Sequence, residues 1–292
     1  MPDILTYDLT PRTASFSPPP GACDSHVHVF GPRALFPYAD KRGFTPVDAP
    51  KETLFALHRT LGIARCVIVQ SAVHGFDNRV VEDAIAAGEG RYLGVALVPA
   101  DVPDAELARL AAAGFRGVRF NFMSHLPGTP LEDVLALTRR LAPLGMHLQV
   151  HFESALVHTV GPALAASAVP VVIDHMGRVD AALGADHADF AALRRLLADP
   201  LFRVKVSGVD RIATADTYPD GVALARLLVE EFGDRCLWGT DWPHPNHTHV
   251  PDDAALVELL PEIAPTEALR QALLVDNPAA FYGFEDLQDD TP

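Results

Sequence analysis

Short apolar runs alternate along the chain with longer segments in which apolar residues recur every three or four positions. The short runs are typical of buried strands, and the longer segments have the period of an amphipathic helix. Eight strands are predicted, at 22–30, 65–70, 92–98, 117–121, 147–152, 169–173, 202–206 and 236–240. Helices are predicted at 51–61, 78–88, 104–113, 131–144, 156–166, 189–198, 220–232, 254–263 and 266–274.

The regular alternation of strands and helices indicates parallel βαβ units, and hence an α/β fold. Two architectures fit this order, a (β/α)8 TIM barrel and a doubly wound open sheet. The open sheet would usually carry a glycine-rich phosphate turn after its first strand, whereas this chain has Asp24-Ser25-His26-Val27-His28 there. The strand count and the missing turn favour the barrel, with the two last helices packed on its outside.

The length and composition are those of one large domain. The chain has 292 residues, of which 49% are hydrophobic, and this is enough for a single core spanning 1–292. We expect residues 1–20 to form an extended N-terminal arm and residues 285–292 to form a disordered tail. The three cysteines, Cys23, Cys66 and Cys236, lie in apolar runs and are predicted to be reduced core residues. With no signal peptide and no apolar run of about 18 residues, we expect a cytoplasmic protein.

The net charge of −15, from 38 acidic and 23 basic residues, is spread along the chain rather than concentrated in blocks. Such a surface argues against nucleic acid or an anionic membrane as a partner. A small anionic substrate stays compatible with it, because a local arginine can reverse the field inside a pocket. The oligomeric state is left open, and a homo-oligomer is possible.

Polar side chains follow several predicted strands at their C-terminal ends, where a barrel of this kind carries its active site. Four histidines and an aspartate stand out: His26 and His28 on strand one, His151 on strand five, His175 after strand six and Asp241 after strand eight. His26 and His28 are two residues apart and therefore point the same way, into the barrel mouth. Imidazole and carboxylate groups are usual ligands of a divalent transition metal that keeps an open position for water. An unliganded polar network is the alternative.

Asp241 is the candidate general base. A carboxylate beside histidines or a metal can accept a proton from water and pass it to a leaving oxygen. The alternative role for Asp241 is a turn or helix cap before Pro243, which aspartate also favours. The apolar run 237–239 before it places this residue at the mouth rather than on an outer turn.

Two arginines are candidates for binding a substrate anion. Arg119 ends a strand with apolar neighbours, and Arg211 lies in the loop after strand seven. An arginine in a pocket needs an anion, and a substrate carboxylate would meet it with a bidentate pair. For Arg119 an internal salt bridge to Asp174 or Glu153 is an equally good interpretation.

Three segments carry a family resemblance: residues 24–32, 173–178 and 238–245, which read DSHVHVFGP, IDHMGR and WGTDWPHP. They resemble the amidohydrolase superfamily, and within it the 2-pyrone-4,6-dicarboxylate lactonases and their relatives. The resemblance runs from about residue 22 to 282. It implies a (β/α)8 barrel that hydrolyses a small carboxylated lactone, often in the breakdown of aromatic compounds.

The resemblance also implies roles for individual residues. Asp241 matches the general base that activates water, and His175, with the pair 26 and 28, matches the histidines around the reacting carbonyl. Arg119 and Arg211 match arginines that bind substrate carboxylates. A further three residues are assigned to the substrate pocket: His74, His125 and Phe44.

Four positions depart from the pattern of the pyrone-dicarboxylate enzymes. Phe44 and His151 stand where two tyrosines are expected, His125 replaces a second arginine, and Ala72 replaces a serine. Each lost charged hydrogen bond costs about 1.5–3 kcal/mol. We therefore expect a sibling lactone as substrate, such as a muconolactone-type compound, including a sulfonated one.

The histidine at position 151 bears on the metal. The pyrone lactonases resemble metal-free enzymes, whereas many members of the superfamily bind a metal with a histidine at the end of strand five. The sequence thus predicts a mononuclear site, with zinc before manganese, while metal-free operation stays open. The predicted ligands are His26, His28, His151, His175 and Asp241.

A lactonase is the leading hypothesis. Its rivals are a metal-dependent decarboxylase of an aromatic or unsaturated acid, which would use the same ligands, and a non-catalytic barrel that binds a small acid. Release of CO2 distinguishes the decarboxylase from a hydrolase, which adds water. Tight binding without turnover would identify the non-catalytic barrel.

Overall fold

Eight parallel strands form one sheet in chain order, and neighbouring strands pair from β1 through β8. The computed structural model describes residues 3–123, 128–215, 217–246 and 249–285. The strands are β1 (Cys23–Val27), β2 (Arg65–Val69), β3 (Tyr92–Ala96), β4 (Phe115–Phe122), β5 (His147–Phe152), β6 (Val171–Ile173), β7 (Phe202–Ser207) and β8 (Cys236–Gly239).

The sheet curls until its first and last strands meet at their C-terminal ends. The Asp241 N–H donates to the His26 carbonyl at 2.8 Å, and the His28 N–H donates to the Trp242 carbonyl at 2.7 Å. These two bonds join the chain after β8 to β1, so the sheet is a nearly closed (β/α)8 barrel. The predicted fold is confirmed, although β1 ends three residues earlier than the apolar run indicated.

Helices cover the outside of the barrel between the strands and continue after β8. They are α1 (Lys51–Leu61), α2 (Arg79–Ala87), α3 (Asp104–Ala112), α4 (Leu131–Leu141), α5 (Val160–Ala163), α6 (Ala188–Leu197), α7 (Val209–Ile212), α8 (Pro219–Phe232), α9 (Asp253–Glu258), α10 (Leu260–Ile263), α11 (Glu267–Gln271) and α12 (Asn277–Tyr282). A π-helical turn, Ala272–Asp276, joins the last two.

The helix predicted over 156–166 is the clearest error in the element boundaries. This segment forms a 3₁₀ turn (Ser154–His158), the single turn α5 and a second 3₁₀ turn (Leu164–Ala166). Pro162 lacks the N–H that a longer helix needs. At Gly161 a Cβ would lie 2.6 Å from Leu196 Cδ1, so this backbone packs directly against α6.

The N-terminal arm is attached to the barrel by specific contacts. The buried Tyr7 packs its ring against Trp242 with centroids 5.2 Å apart, and its hydroxyl donates to the Asp48 carbonyl at 2.9 Å. Arg12 reaches the C-terminal helices, where it donates to Asp252 and Glu258. The predicted tail lies outside the described residues from 286 onward. No helix in the described ranges is long and apolar enough to span a membrane.

The barrel interior contains a layer of buried polar groups below its mouth. Lys205 on β7 is fully buried and donates to Gln149 Oε1 at 2.8 Å. Burial lowers the pKa of this lysine to about 8. Asp24, also fully buried, accepts from the Thr240 hydroxyl at 2.6 Å and from the His26 N–H at 3.1 Å. These bonds hold the ends of β1 and β8, and with them the site above, in one geometry.

His147, at the N-terminal end of β5, makes folding sensitive to acid. Its buried ring packs against Phe281 and Tyr282, and burial lowers the pKa of this imidazole to about 3. In the unfolded chain a histidine has a pKa of about 6.5. As the pH falls below that value, His147 becomes protonated in the unfolded chain but stays neutral in the folded protein. Below pH 6.5 this group therefore lowers the free energy of unfolding by about 1.4 kcal/mol for each unit that the pH falls.

We expect His147→Gln to reduce the loss of unfolding free energy between pH 7 and pH 4, measured by urea denaturation. His158→Gln, at an exposed histidine, serves as the matched control. An unchanged pH slope in His147→Gln, with the protein folded at pH 7, would contradict this assignment.

Candidate active site

A cavity of about 300 Å³ opens at the C-terminal ends of the strands. Side chains from β1, β4, β5 and the turns after β6, β7 and β8 converge on it. Of the predicted catalytic, substrate-binding and metal-binding residues, seven line it: His28, Phe44, Arg119, His151, His175, Arg211 and Asp241. His26 is fully buried at its base.

Asp241 lies at the centre of a group of three imidazoles. Its Oδ1 is 3.4 Å from His28 Nε2, 3.6 Å from His26 Nε2 and 3.8 Å from His175 Nε2. In a tetrahedral site with bonds of about 2.0–2.2 Å, donor atoms lie roughly 3.3–3.6 Å apart. The distances to His28 and His26 are therefore long for direct hydrogen bonds and close to those of ligands that share one ion, whereas the distance to His175 is longer than that range.

The orientation of the His28 ring is determined by the backbone. Its Nδ1 lies 2.7 Å from the Val69 carbonyl, which can only accept, so Nδ1 carries the proton. In the neutral tautomer that this bond selects, Nε2 presents a lone pair to the Asp241 carboxylate. Two acceptors that face each other need a cation or a proton donor between them.

His26 and His175 complete the group. Burial lowers the pKa of His26 to about 4 and that of His175 well below its usual value, so both rings are neutral at pH 7. His26 Nδ1 is 3.3 Å from Asp174 Oδ1, and neither His26 nitrogen makes a hydrogen bond within the described residues. His175 Nδ1 lies 2.9 Å from the Ser207 hydroxyl, which can donate or accept.

The backbone after β6 is strained where it directs side chains into the cavity. Four consecutive residues have positive φ: His175 at 47°, Met176 at 52°, Gly177 at 63° and Arg178 at 56°. Asp241 also has a positive φ, of 67°. Residues other than glycine pay about 1–2 kcal/mol each for this conformation. Such strain persists where the surrounding packing enforces it, and it is common at functional sites.

Two of the three arginines at the cavity form internal ion pairs. Arg119 Nε donates to Asp174 Oδ2 at 2.8 Å, so Asp174 is the internal partner that the sequence left open. Arg211 pairs with Asp241 Oδ2 and donates to the Pro245 carbonyl at 2.9 Å. Asp241 thus has one oxygen on an arginine and the other toward the imidazoles.

Arg178 is the third arginine at the cavity and differs from the other two in having no internal ion pair among the described residues. It lines the cavity and makes no hydrogen bond or ion pair with any other residue that the structure describes. Burial lowers the pKa of its guanidinium, and the neighbouring charge of Arg211 lowers it further. An anion in the cavity would relieve both effects.

The comparisons with known proteins agree with this geometry. Residues 23–284 match the family model described as amidohydrolase. The chain belongs to the amidohydrolase family. A 2-pyrone-4,6-dicarboxylate hydrolase from Comamonas testosteroni is 43% identical and is matched over 98% of both chains. A 4-sulfomuconolactone hydrolase from Hydrogenophaga intermedia is 39% identical, with 92% of this chain and 90% of that protein covered.

A solved structure of this amidohydrolase group superposes closely on the chain. It is a candidate 2-pyrone-4,6-dicarboxylic acid hydrolase from Pseudomonas putida, with a TM-score of 0.81 and 34% identity. The match covers 92% of this chain and all of that one. The family resemblance seen in the three sequence motifs is confirmed.

Three predicted site residues of this amidohydrolase need separate comment. His151 lines the cavity but lies outside the two groups that bring potential metal-binding atoms together, which are His26, His28 and Asp241, and His26, Asp174 and His175. His74 lies behind the cavity wall, with its ring nitrogens at the Pro37 carbonyl and the Gly31 N–H. His125 falls outside the described residues.

The sequence did not settle the parts that Asp174 and Arg178 play in the site, and for Asp174 it offered only an ion pair with Arg119. Asp174 is fully buried between His26 and Arg119, and it belongs to one of the two potential metal-binding groups. Its position in the motif IDHMGR, directly before His175, was a usable signal. The side chain of Arg178 lines the cavity because residues 175–178 adopt left-handed backbone conformations, which the sequence does not reveal.

Proposed function

We propose that this protein is a lactonase that opens the ring of a small anionic lactone by adding water. One observation carries the proposal: the carboxylate–imidazole group and Arg178, which has no ion pair among the described residues, meet at a single small cavity. The first supplies a base and carbonyl-activating groups, and the second supplies a partner for a substrate anion. The named activities of the relatives, on a pyrone dicarboxylate and a sulfomuconolactone, support the same substrate class.

Asp241 acts as the general base in this proposal. A water beside its Oδ1 loses a proton to the carboxylate as the oxygen attacks the lactone carbonyl. The Arg211 ion pair holds the carboxylate in place through Oδ2. After the ring C–O bond breaks, the protonated Asp241 returns the proton to the ring oxygen, so the base is regenerated in each turnover.

His175 is placed to stabilise the developing oxyanion. If the Ser207 hydroxyl donates to Nδ1, the proton of the neutral ring lies on Nε2, which then faces the cavity as a donor. A donor aimed at the position of the oxyanion typically contributes 10²–10³ in kcat, on the order of 2.7–4 kcal/mol. The strained backbone fixes this ring, and burial keeps it neutral.

The donor set also fits a divalent metal, with zinc proposed before manganese. The lone pair of His28, the His26 nitrogens without hydrogen bonds and the Asp241 carboxylate are the chemistry that zinc prefers. His26, His28, His175 and Asp241 would hold the ion, with Asp174 at its edge. His175 would then bind through an unprotonated Nε2, so the ion would replace the His175 N–H as the group that polarises the carbonyl. A bound ion would polarise the carbonyl and lower the pKa of a water. We keep His151 as a proposed fifth ligand.

Metal content tests this part of the proposal. Protein purified without chelator should contain about one equivalent of metal by mass spectrometry, and dialysis against EDTA should lower both its melting temperature and its activity, because the bound ion stabilises only the folded state. The variant His28→Gln should lose the metal, and His158→Gln, far from the cavity, should keep it. Well under one equivalent in the native protein, with activity unchanged in EDTA, would contradict it.

The cavity walls favour a muconolactone-type substrate over a pyrone dicarboxylate. Phe44 and Ala72 line the cavity and offer no hydroxyl to a second carboxylate. We expect kcat/KM for muconolactone or 4-sulfomuconolactone to exceed that for 2-pyrone-4,6-dicarboxylate by at least about tenfold, in ultraviolet assays under matched conditions. A preference for the pyrone would refute this choice, and no turnover of any of the three would refute the proposed lactonase.

A further inference from the structure

A second cavity, of about 430 Å³, adjoins the active-site cavity and has no part in the chemistry described above. We call it the side chamber. It shares four lining residues with the active-site cavity: Gly43, Ala72, Arg119 and Asn121. The two cavities therefore adjoin at the Arg119 side chain.

The side chamber differs from the active-site cavity in its chemistry. Its inner wall is apolar, formed by the buried side chains of Leu97, Val98 and Phe120. Phe76 stands at the opening with 62% of its surface exposed. Together with the apolar inner wall, this ring gives the side chamber the hydrophobic and aromatic lining that is common in ligand pockets.

The rim of the side chamber is cationic. Lys41 and Arg42 both line it. Arg42 is held by the Ala39 carbonyl at 2.7 Å and by Thr45 Oγ1 at 2.9 Å, whereas Lys41 makes no hydrogen bond or ion pair within the described ranges. These charges disfavour a cationic ligand and leave neutral or anionic ones.

Arg119 determines how the two cavities would be used together. Asp174 holds its Nε, and its terminal nitrogens make no hydrogen bond with other described residues. They form a planar fork suited to a carboxylate or sulfonate. Because Arg119 lines both cavities, an anion bound to this fork would lie where they adjoin, and a neighbouring substituent could extend into the side chamber while the lactone ring occupies the active-site cavity.

We infer that the side chamber is a subsite for an apolar substituent of the lactone, alkyl or aryl, attached next to the anionic arm. The inference rests on the proposed lactonase function and deepens it. The substrate class is then a lactone bulkier than the unsubstituted ring, with no positive charge on the substituent.

Binding and turnover of a matched series test the inference. The probes are muconolactones that carry hydrogen, methyl, phenyl or aminomethyl on the ring carbon that bears the carboxymethyl arm. Dissociation constants are measured by calorimetry on the Asp241→Asn protein, and KM on the native protein. We expect the phenyl compound to bind at least about tenfold more tightly than the hydrogen compound, and the aminomethyl compound more weakly than the methyl one.

Two variants locate the effect. The phenyl advantage is the ratio of the dissociation constants of the hydrogen and phenyl compounds. Phe76→Ala should lower this ratio at least threefold, and Thr129→Trp, at the rim of the side chamber, should abolish the advantage. Neither should change the affinity for the hydrogen compound. Leu183→Ala, at another exposed apolar residue remote from both cavities, is the matched control.

Binding tests the side-chamber subsite, and hydrolysis tests the proposed lactonase, so the two can fail separately. Equal or weaker binding of the phenyl compound, or an advantage unchanged in both Phe76→Ala and Thr129→Trp, overturns the side-chamber subsite even if the hydrogen compound is hydrolysed. Tight, substituent-dependent binding without hydrolysis supports the subsite and overturns the lactonase. Melting curves confirm that each variant is folded.

Discussion

Replacement of Asp241 by asparagine should lower kcat for lactone hydrolysis by at least about a hundredfold, with a smaller change in KM. The amide has nearly the shape of the carboxylate but cannot accept the proton of the attacking water. Steady-state kinetics with muconolactone measure the effect. The matched control is Asp189→Asn, a surface aspartate that binds Ser154 and His158.

The melting temperature of Asp241→Asn shows whether a fall in kcat reflects the lost base or an unfolded protein. Asp241 is fully buried beside Arg211, so the amide leaves that arginine without its partner charge and lowers stability. The assay is therefore run well below the melting temperature of the variant. A folded Asp241→Asn protein with kcat within about threefold of native would rule out the role of general base.

The second large effect is expected on KM from Arg178→Met. A charged hydrogen bond to a substrate anion is worth about 1.5–3 kcal/mol, which corresponds to a rise in KM of roughly 10- to 150-fold. The stability of the substrate-free protein should change little, because Arg178 makes no ion pair with the described residues. Arg178→Lys should recover part of the affinity, since it keeps the charge and loses the planar fork.

Arg195→Met, at an exposed position on α6, is the control for the loss of a positive charge from this acidic protein. Initial rates over a range of substrate concentrations separate KM from kcat. If Arg178→Met kept the native KM while Arg119→Met raised it, the anion would lie on the Arg119 fork alone, and the role given to Arg178 would be wrong.

The barrel itself was predictable because its signal is repeated along the chain. Buried strands such as β2 and β6 are short apolar runs, and parallel strands place their C-terminal ends together. The convergence of His26, His28, His175 and Asp241 follows from that rule alone. The broken helix α5 was also readable, since Gly161-Pro162 lies in the middle of the segment predicted as one helix.

The details of the site depend on distances that no local pattern encodes. Arg211 was expected to bind a substrate carboxylate, yet the turns after β7 and β8 bring it onto Asp241. His74 follows β2 as the active-site loops do, but the 3₁₀ turn Ala72–His74 directs its ring toward the backbone of residues 31 and 37. Arg178 enters the cavity because four successive residues adopt positive φ, for which only Gly177 gives a hint in the sequence.

Hydrolysis in water enriched in ¹⁸O tests the central claim most directly. The protein is incubated with muconolactone, and the product is analysed by mass spectrometry while released protons are titrated. A lactonase gives a ring-opened acid that is heavier by one water, with one ¹⁸O in the new carboxylate and one proton released per turnover. Release of CO2 and a product lighter than the substrate would identify a decarboxylase and contradict the account.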